Sequence, residues 1–76
     1  MMYDRLRALR EDHDMNQTAL AEQLSMSQTG YSKYETGEND IPTAVLIKLA
    51  RIYNTSVDYL LGLTDERLPY PRKPIL

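Results

Sequence analysis

Only three residues, Ser25 to Ser27, separate two short segments that each carry a helical period, and this spacing limits the fold more than any other feature of the chain. Before the gap, Asn16 is a good N-cap, and Leu20, Ala21 and Leu24 follow at i, i+1 and i+4, the apolar face of a helix that ends near Leu24. After the gap, Ser27 caps a further helix with Tyr31 and Tyr34 turned inward and Gly37 placed for a left-handed stop. So short a connection forbids antiparallel packing, and the following helix must cross at a steep angle. Such a crossing needs a small residue where the helices touch. Ala21 supplies it.

The flanking sequence builds a platform for this pair. Met2, Leu6, Leu9 and His13 recur at spacings of four, three and four, which predicts an amphipathic helix over about residues 3–13, with Arg5, Arg7, Glu11 and Asp12 off the stripe. Residues 38–42 read as a loop, after which Thr43 is expected to cap a fourth helix whose core face is Leu46, Leu49, Ala50 and Tyr53, widened by Val45 and Ile52. Asn54 tolerates a left-handed conformation, and Ser56 caps a short fifth helix carrying Val57, Leu60 and Leu61, closed by Gly62. Beyond Thr64 the period stops. Pro69, Pro71 and Pro74 with Arg67, Arg72 and Lys73 predict an extended basic tail. The expected organisation is all-α and compact: a five-helix domain over residues 1–63 and a Pro-rich tail over residues 64–76.

Composition narrows the chemistry. A chain of 76 residues has room for one core, which buries roughly 60–65% of the surface of the unfolded form. It must do so without disulfides, because there is no cysteine. With His13 the only histidine, no metal site is expected, and no cofactor or small-molecule ligand is evident. Asp4, Glu11, Asp12 and Asp14 fall on different faces, so no carboxylate dyad and no enzyme active site is expected. No stretch reaches the roughly 18 apolar residues of a membrane span, and the charged N-terminus differs from a signal peptide, so a cytoplasmic protein with no membrane partner is expected.

The polar residues left on the third helix are Gln28, Thr29, Ser32, Lys33 and Thr36, spaced i, i+1, i+4, i+5 and i+8. Glutamine bonds an adenine edge in two places, threonine offers a methyl to thymine, and lysine donates to guanine or phosphate. Of the six tyrosines, Tyr31, Tyr34, Tyr53 and Tyr59 fall on apolar stripes and read as core or interface rather than base-stacking groups; Tyr3 and Tyr70 stay unplaced.

These residues resemble a known family, the phage-repressor or Xre type of helix-turn-helix transcriptional regulator, Cro-like and lambda-repressor-like in fold. The resemblance covers roughly residues 3–62. It rests on Leu6-Arg7-x-Leu9-Arg10, Asn16-Gln17-x-x-Leu20-Ala21-x-x-Leu24, Met26-Ser27-Gln28-x-x-Tyr31-Ser32-x-Tyr34-Glu35-x-Gly37, Ile41-Pro42 and Ser56-Val57-Asp58-Tyr59-Leu60-Leu61-Gly62. It implies that Gln28, Thr29, Ser32 and Lys33 reach base edges of double-stranded DNA. Asn16, Gln17, Ser27, Thr36 and Asn39 are then expected at phosphates, Gln17 from a helix N-terminus that already favours an anion. It further implies a structural ion pair between Arg10 and Glu35. Three positions depart from the family pattern. Ser25 stands where relatives often carry Gly, which implies either a strained φ or a different turn. Gly30 lies inside the third helix at a cost of about 1 kcal/mol against Ala, giving close approach to a partner or avoiding a clash. Glu38 and Asp40 are acids where relatives often place bases.

The net charge of −2 argues against nucleic acid when taken alone. Its distribution removes the objection. Residues 23–34 contain Lys33 and no acid, residues 38–66 hold five acids and two bases, and residues 67–76 hold three bases and no acid. A regulator that binds a pseudo-palindromic operator as a homodimer is therefore expected, with repression by occupancy. Ile47 and Tyr59, with Leu68, Ile75 and Leu76, are the candidate dimer contacts. The alternative is a protein-interaction module on the same fold, antitoxin-like or an adaptor subunit, for which the acidic loop and low pI speak.

Overall fold

Four helices of the protein stop by the same device, and it decides where each following element starts. The computed structural model describes residues 3–73; Met2, Pro74, Ile75 and Leu76, to which the sequence assigned roles, lie outside the described residues. The elements are α1 (Asp4–Asp12), α2 (Gln17–Gln23), α3 (Gln28–Thr36), α4 (Thr43–Ile52) and α5 (Val57–Leu60), with no strand among the described residues. After α1, α2, α4 and α5 the chain turns through Asp14, Ser25, Asn54 and Gly62, each at positive φ (53°, 57°, 50° and 77°). In each case two backbone N–H groups fold back on the last turn. After α2, Ser25 donates to Glu22 and Met26 to Ala21; after α4, Asn54 donates to Arg51 and Thr55 to Ala50. This is the Schellman closure, which satisfies orphan helix carbonyls at the cost of one left-handed residue. Only Gly62 meets that cost without a side chain. At Ser25 the strained alternative of the two expected is the one adopted.

Helix starts follow the caps read from the sequence, with one exception. Asn16, Ser27 and Ser56 accept hydrogen bonds from Ala19, Gly30 and Tyr59 N–H at 2.8, 3.0 and 3.0 Å. Thr43 does not cap α4. The cap residue is Pro42, whose carbonyl accepts from Val45 and Leu46, and Thr43 is already the first helical residue. Proline fixes φ near the helical value and lacks the N–H that a helix start would leave unpaired, so α4 begins one residue earlier without a side-chain cap.

The core joins all five helices through Leu6, Leu9, Leu20, Tyr31, Leu49 and Leu60, each at most 2% exposed. Ala21 is 1% exposed, on the helix that packs against α3. Tyr31, Tyr34 and Tyr53 are buried, with the first two edge to face at 6.2 Å. His13 ends α1, its ring tilted against Tyr53 and its Nδ1 2.9 Å from the Leu9 carbonyl oxygen. Residues 64–73 contain no helix, yet they are tied to the body of the molecule. Thr55, fully buried, donates its hydroxyl to the Arg67 carbonyl at 2.6 Å, and Arg72 donates to the carbonyls of Ala50 and Thr55 at 3.2 and 2.7 Å. Arg5 completes the attachment with bonds to the Tyr59 carbonyl (3.0 Å), the Thr64 carbonyl and the Asp65 carboxylate (2.6 Å).

Candidate nucleic-acid interface

The capped start of α3 sets the direction in which its polar residues leave the molecule. With Tyr31 and Tyr34 facing the core, Gln28, Thr29, Lys33 and Thr36 are exposed and Ser32 is half-buried. Asn16 and Ser27 are exposed, but the side-chain oxygen of each already accepts from a helix N–H, which leaves the Asn16 amide hydrogens and the Ser27 hydroxyl hydrogen for an outside acceptor. The Thr36 hydroxyl turns back to donate to the Lys33 carbonyl at 3.3 Å. Asn39 lies exposed beyond the Gly37 stop, and its backbone N–H donates to the Lys33 carbonyl.

Behind this face runs a continuous line of polar contacts from α1 to α3. Arg10 donates through Nε to Glu35 Oε2 at 2.7 Å and through Nη2 to Oε1 at 3.1 Å, a bidentate pair, while its Nη1 holds the Met15 carbonyl at 2.9 Å. The side chains are 13% and 5% exposed, so the pair is an interior one. Glu35 Oε1 also accepts from Gln17 Nε2 at 3.1 Å, and Gln17 Oε1 accepts from Gln28 Nε2 at 2.6 Å. Burial drives the Glu35 carboxyl upward, but the donors from Arg10 and Gln17 outweigh it and hold the group below its ordinary value; the same pairing raises Arg10. Burial raises the Tyr31 hydroxyl well above its usual range, with the Glu35 charge adding to it, and pushes Tyr53 up to about 12. Neither hydroxyl reaches hydrogen-bond geometry with a partner among the described residues.

The Helix-turn-helix family model matches residues 6–60, which takes in α2 to α5, most of α1 and every residue of this polar line. The chain belongs to the Xre-like helix-turn-helix family. This helix-turn-helix protein is similar, at 42% identity over 91% of its length, to the Bacillus subtilis (strain 168) protein named uncharacterized HTH-type transcriptional regulator YobD, of which 62% is covered. It is 40% identical over 76% of its length to the HTH-type transcriptional regulator ImmR of the same organism, with 46% of that protein covered. An SPbeta prophage-derived uncharacterized HTH-type transcriptional regulator, YonR, is 34% identical over 80% of the chain and 56% of its own length. The chain thus spans about half to three fifths of the length of these curated relatives. No solved structure matches it.

The helix-turn-helix protein keeps its two candidate dimer residues apart. Ile47, 44% exposed, lines a groove of about 490 Å³ between α4, the start of α5 and Pro69–Lys73, with Tyr70 at 68% exposure on its rim. Tyr59 does not line that groove. Its ring lies under the Arg5 guanidinium, 4.1 Å from the centroid, and is half-buried. Leu68 is 71% exposed, while Ile75 and Leu76 lie outside the described residues. Among the described residues no helix is long and apolar enough to cross a membrane, and no group of three or more His, Cys, Asp or Glu is placed to hold a metal. Residues that the sequence left without a role are Arg5, Thr55 and Arg72. The signal was present in Thr55, a polar residue within the inward run of α4 and α5, but its partner lies twelve residues away in a segment without a period.

Proposed function

We propose that this chain is a sequence-specific DNA-binding transcriptional regulator, acting as a repressor, that sets residues 28–36 into the major groove of a pseudo-palindromic operator as a homodimer. The observation that carries the reading is the acid-free face of α3, on which Gln28, Thr29 and Lys33 stand exposed from a helix-turn-helix held by an interior ion pair. The names of the relatives, transcriptional regulators of Bacillus subtilis, support it. Gln28, Thr29, Ser32 and Lys33 read base edges, Asn16, Gln17, Ser27 and Asn39 meet phosphates with their remaining donors, and Thr36 does so by releasing its hydroxyl from the Lys33 carbonyl. One such helix reads too short a site for useful affinity, and two-fold pairing places two helices on half-sites about one helical turn apart. Ile47 and the groove around it, lined by α4, the start of α5 and Pro69–Lys73 and by no residue of α2 or α3, take the second copy. Tyr59 contributes at most its uncovered ring edge.

Selection from a random duplex pool at two salt concentrations tests this reading. Sites with adenine in each half-site should be enriched, and binding should fall as salt rises because phosphate contacts release counterions. A chain that enriches no sequence at low salt overturns it. That outcome favours the second reading, a protein-interaction module, for which the exposed acidic loop Glu38 to Asp40 beside the end of α3 is the supporting observation.

A further inference from the structure

The polar line behind α3 has a direction, and the direction starts at a charge. A carboxylate only accepts, so the Gln17 amide must turn its nitrogen toward Glu35 Oε1. Its oxygen is then committed to the other side, where it meets Gln28 at 2.6 Å, and Gln28 must turn its nitrogen inward to donate. What Gln28 has left is one N–H and a carbonyl oxygen with no partner among the described residues. Reversing either amide would set donor against donor or acceptor against acceptor at one end of the line. Arg10 closes the line by holding both Glu35 oxygens, so that the carboxylate stays ionised and does not rotate.

Resting on the DNA reading above, we propose that Glu35 and Arg10 are positioning residues for base recognition: by fixing the orientation of Gln17, they fix which face Gln28 presents to the groove. The presented pair, one acceptor and one donor, matches adenine, which offers the N6 amino group and N7. Guanine offers two acceptors at the same edge, O6 and N7, and leaves the Gln28 oxygen unpaired. The preference for adenine at that base pair is thus written in the polarity of a line that begins at Glu35, about two turns further along the same helix, in an ion pair that touches no DNA. Replacing Glu35 by glutamine keeps the size of the side chain and removes the polarity, since an amide both donates and accepts.

The test compares dissociation constants for duplexes carrying adenine or guanine at the position whose preference disappears in Gln28→Ala. Wild type, Glu35→Gln, Gln28→Ala and the double variant are each measured at a temperature where circular dichroism shows them folded. Wild type should favour adenine by about tenfold or more, the size of one good bidentate contact. In Glu35→Gln the ratio should fall at least threefold toward parity at that position and stay unchanged elsewhere in the site. Added to Gln28→Ala, the same change should do nothing further. Should Glu35→Gln not fold, Gln17→Met breaks the line while leaving the ion pair intact and should lose the same preference. A variant set in which the ratio is kept, or in which all positions weaken alike, overturns the positioning role and leaves the DNA reading standing. A wild-type chain that distinguishes no base at any position overturns the DNA reading and this role with it.

Discussion

Arg10 and Arg72 each tie a distant segment to the body of the molecule, one through a buried carboxylate and the other through main-chain carbonyls. Arg10 joins α1 to α3 by a bidentate pair to Glu35 that is nearly closed to water. Arg72 joins the tail to the end of α4, adding its guanidinium to the Ala50 carbonyl, which already takes the Thr55 N–H of the Schellman turn, and to the Thr55 carbonyl just beyond, in the place where the helix dipole favours a cation. The difference teaches where this fold is vulnerable. A pair of opposite charges in the interior leaves an uncompensated charge when either partner is lost, whereas main-chain carbonyls that lose an arginine leave no charge behind, only the Thr55 carbonyl without its donor. The α3 side is therefore held by the arrangement that is costlier to break and sensitive to acid. The tail side is held by one that is neither.

The largest effect is expected at Glu35. Glu35→Ala strands the Arg10 charge, and such losses cost about 3–5 kcal/mol. Since each kcal/mol moves the melting point of a domain of this size by roughly 4–8 °C, a thermal melt should fall by more than 12 °C. The effect should depend on pH. Because the folded carboxyl titrates below its ordinary value of 4.5, its stabilisation is complete above that pH and is lost as pH falls through the folded value. The gap between wild type and Glu35→Ala should accordingly narrow on acidification. Tyr53 acts at the other limit: raised from 10.0 to about 12, it keeps its stabilising neutral form while the unfolded chain ionises, so stability should decline between those values as pH rises. A melt of Glu35→Ala unchanged at neutral pH would remove the contrast drawn above.

Arg72→Ala should cost less, about 1–3 kcal/mol, since two hydrogen bonds are lost but the Ala50 carbonyl keeps the Thr55 N–H and only the Thr55 carbonyl is left without a donor. The same cost should be found at pH 4 and at pH 7 in denaturant titrations, because no carboxylate takes part. A cost that shrinks in acid would show that the tail is held by charge after all, through Arg5 and the fully exposed Asp65 rather than through Arg72.

These two attachments were not equally legible in the sequence. The caps at Asn16, Ser27 and Ser56, the apolar stripes and the stop residues Gly37 and Asn54 are local signals, and local rules place them. Arg10 and Glu35 lie 25 positions apart; only resemblance to a family pairs them, since no period in the chain does. The resemblance implies a phosphate role for Gln17, which its helix N-terminus favours, and its inward partner shows only where α3 crosses α2. Thr43 reads as a cap because its residue type carries weight in sequence, while the adjoining Pro42 supplies the geometry. The prolines predict a segment outside the helices, and residues 64–73 contain no helix. Nothing in a run of prolines and bases shows that its carbonyls and guanidinium close the end of a helix fifteen or more residues earlier.

Gly30 should give the smallest effect and the finest discrimination. A Cβ built there would stand 3.1 Å from Ser27 Oγ and 3.2 Å from Met26 Cε, both tighter than ordinary contact. Of the two openings offered by the sequence, clash avoidance is the one the geometry supports, because both crowding atoms belong to the chain itself. The Met26 methyl ends a flexible side chain and moves at little cost. Ser27 Oγ does not move freely, since it accepts the Gly30 N–H at 3.0 Å as the cap of α3. Gly30→Ala gains about 0.8–1 kcal/mol of helix propensity. Against it stands a cap loosened by a few tenths of an ångström, when losing such a cap altogether costs roughly 1 kcal/mol. The two nearly cancel, and a melt shifted by less than about 4 °C is expected, the equivalent of half a kcal/mol to one for this chain length. A full gain would show that the cap yields without cost, so that α3 is held by its ion pair alone; a loss above 1 kcal/mol would show that the cap and Met26 hold it jointly with Glu35.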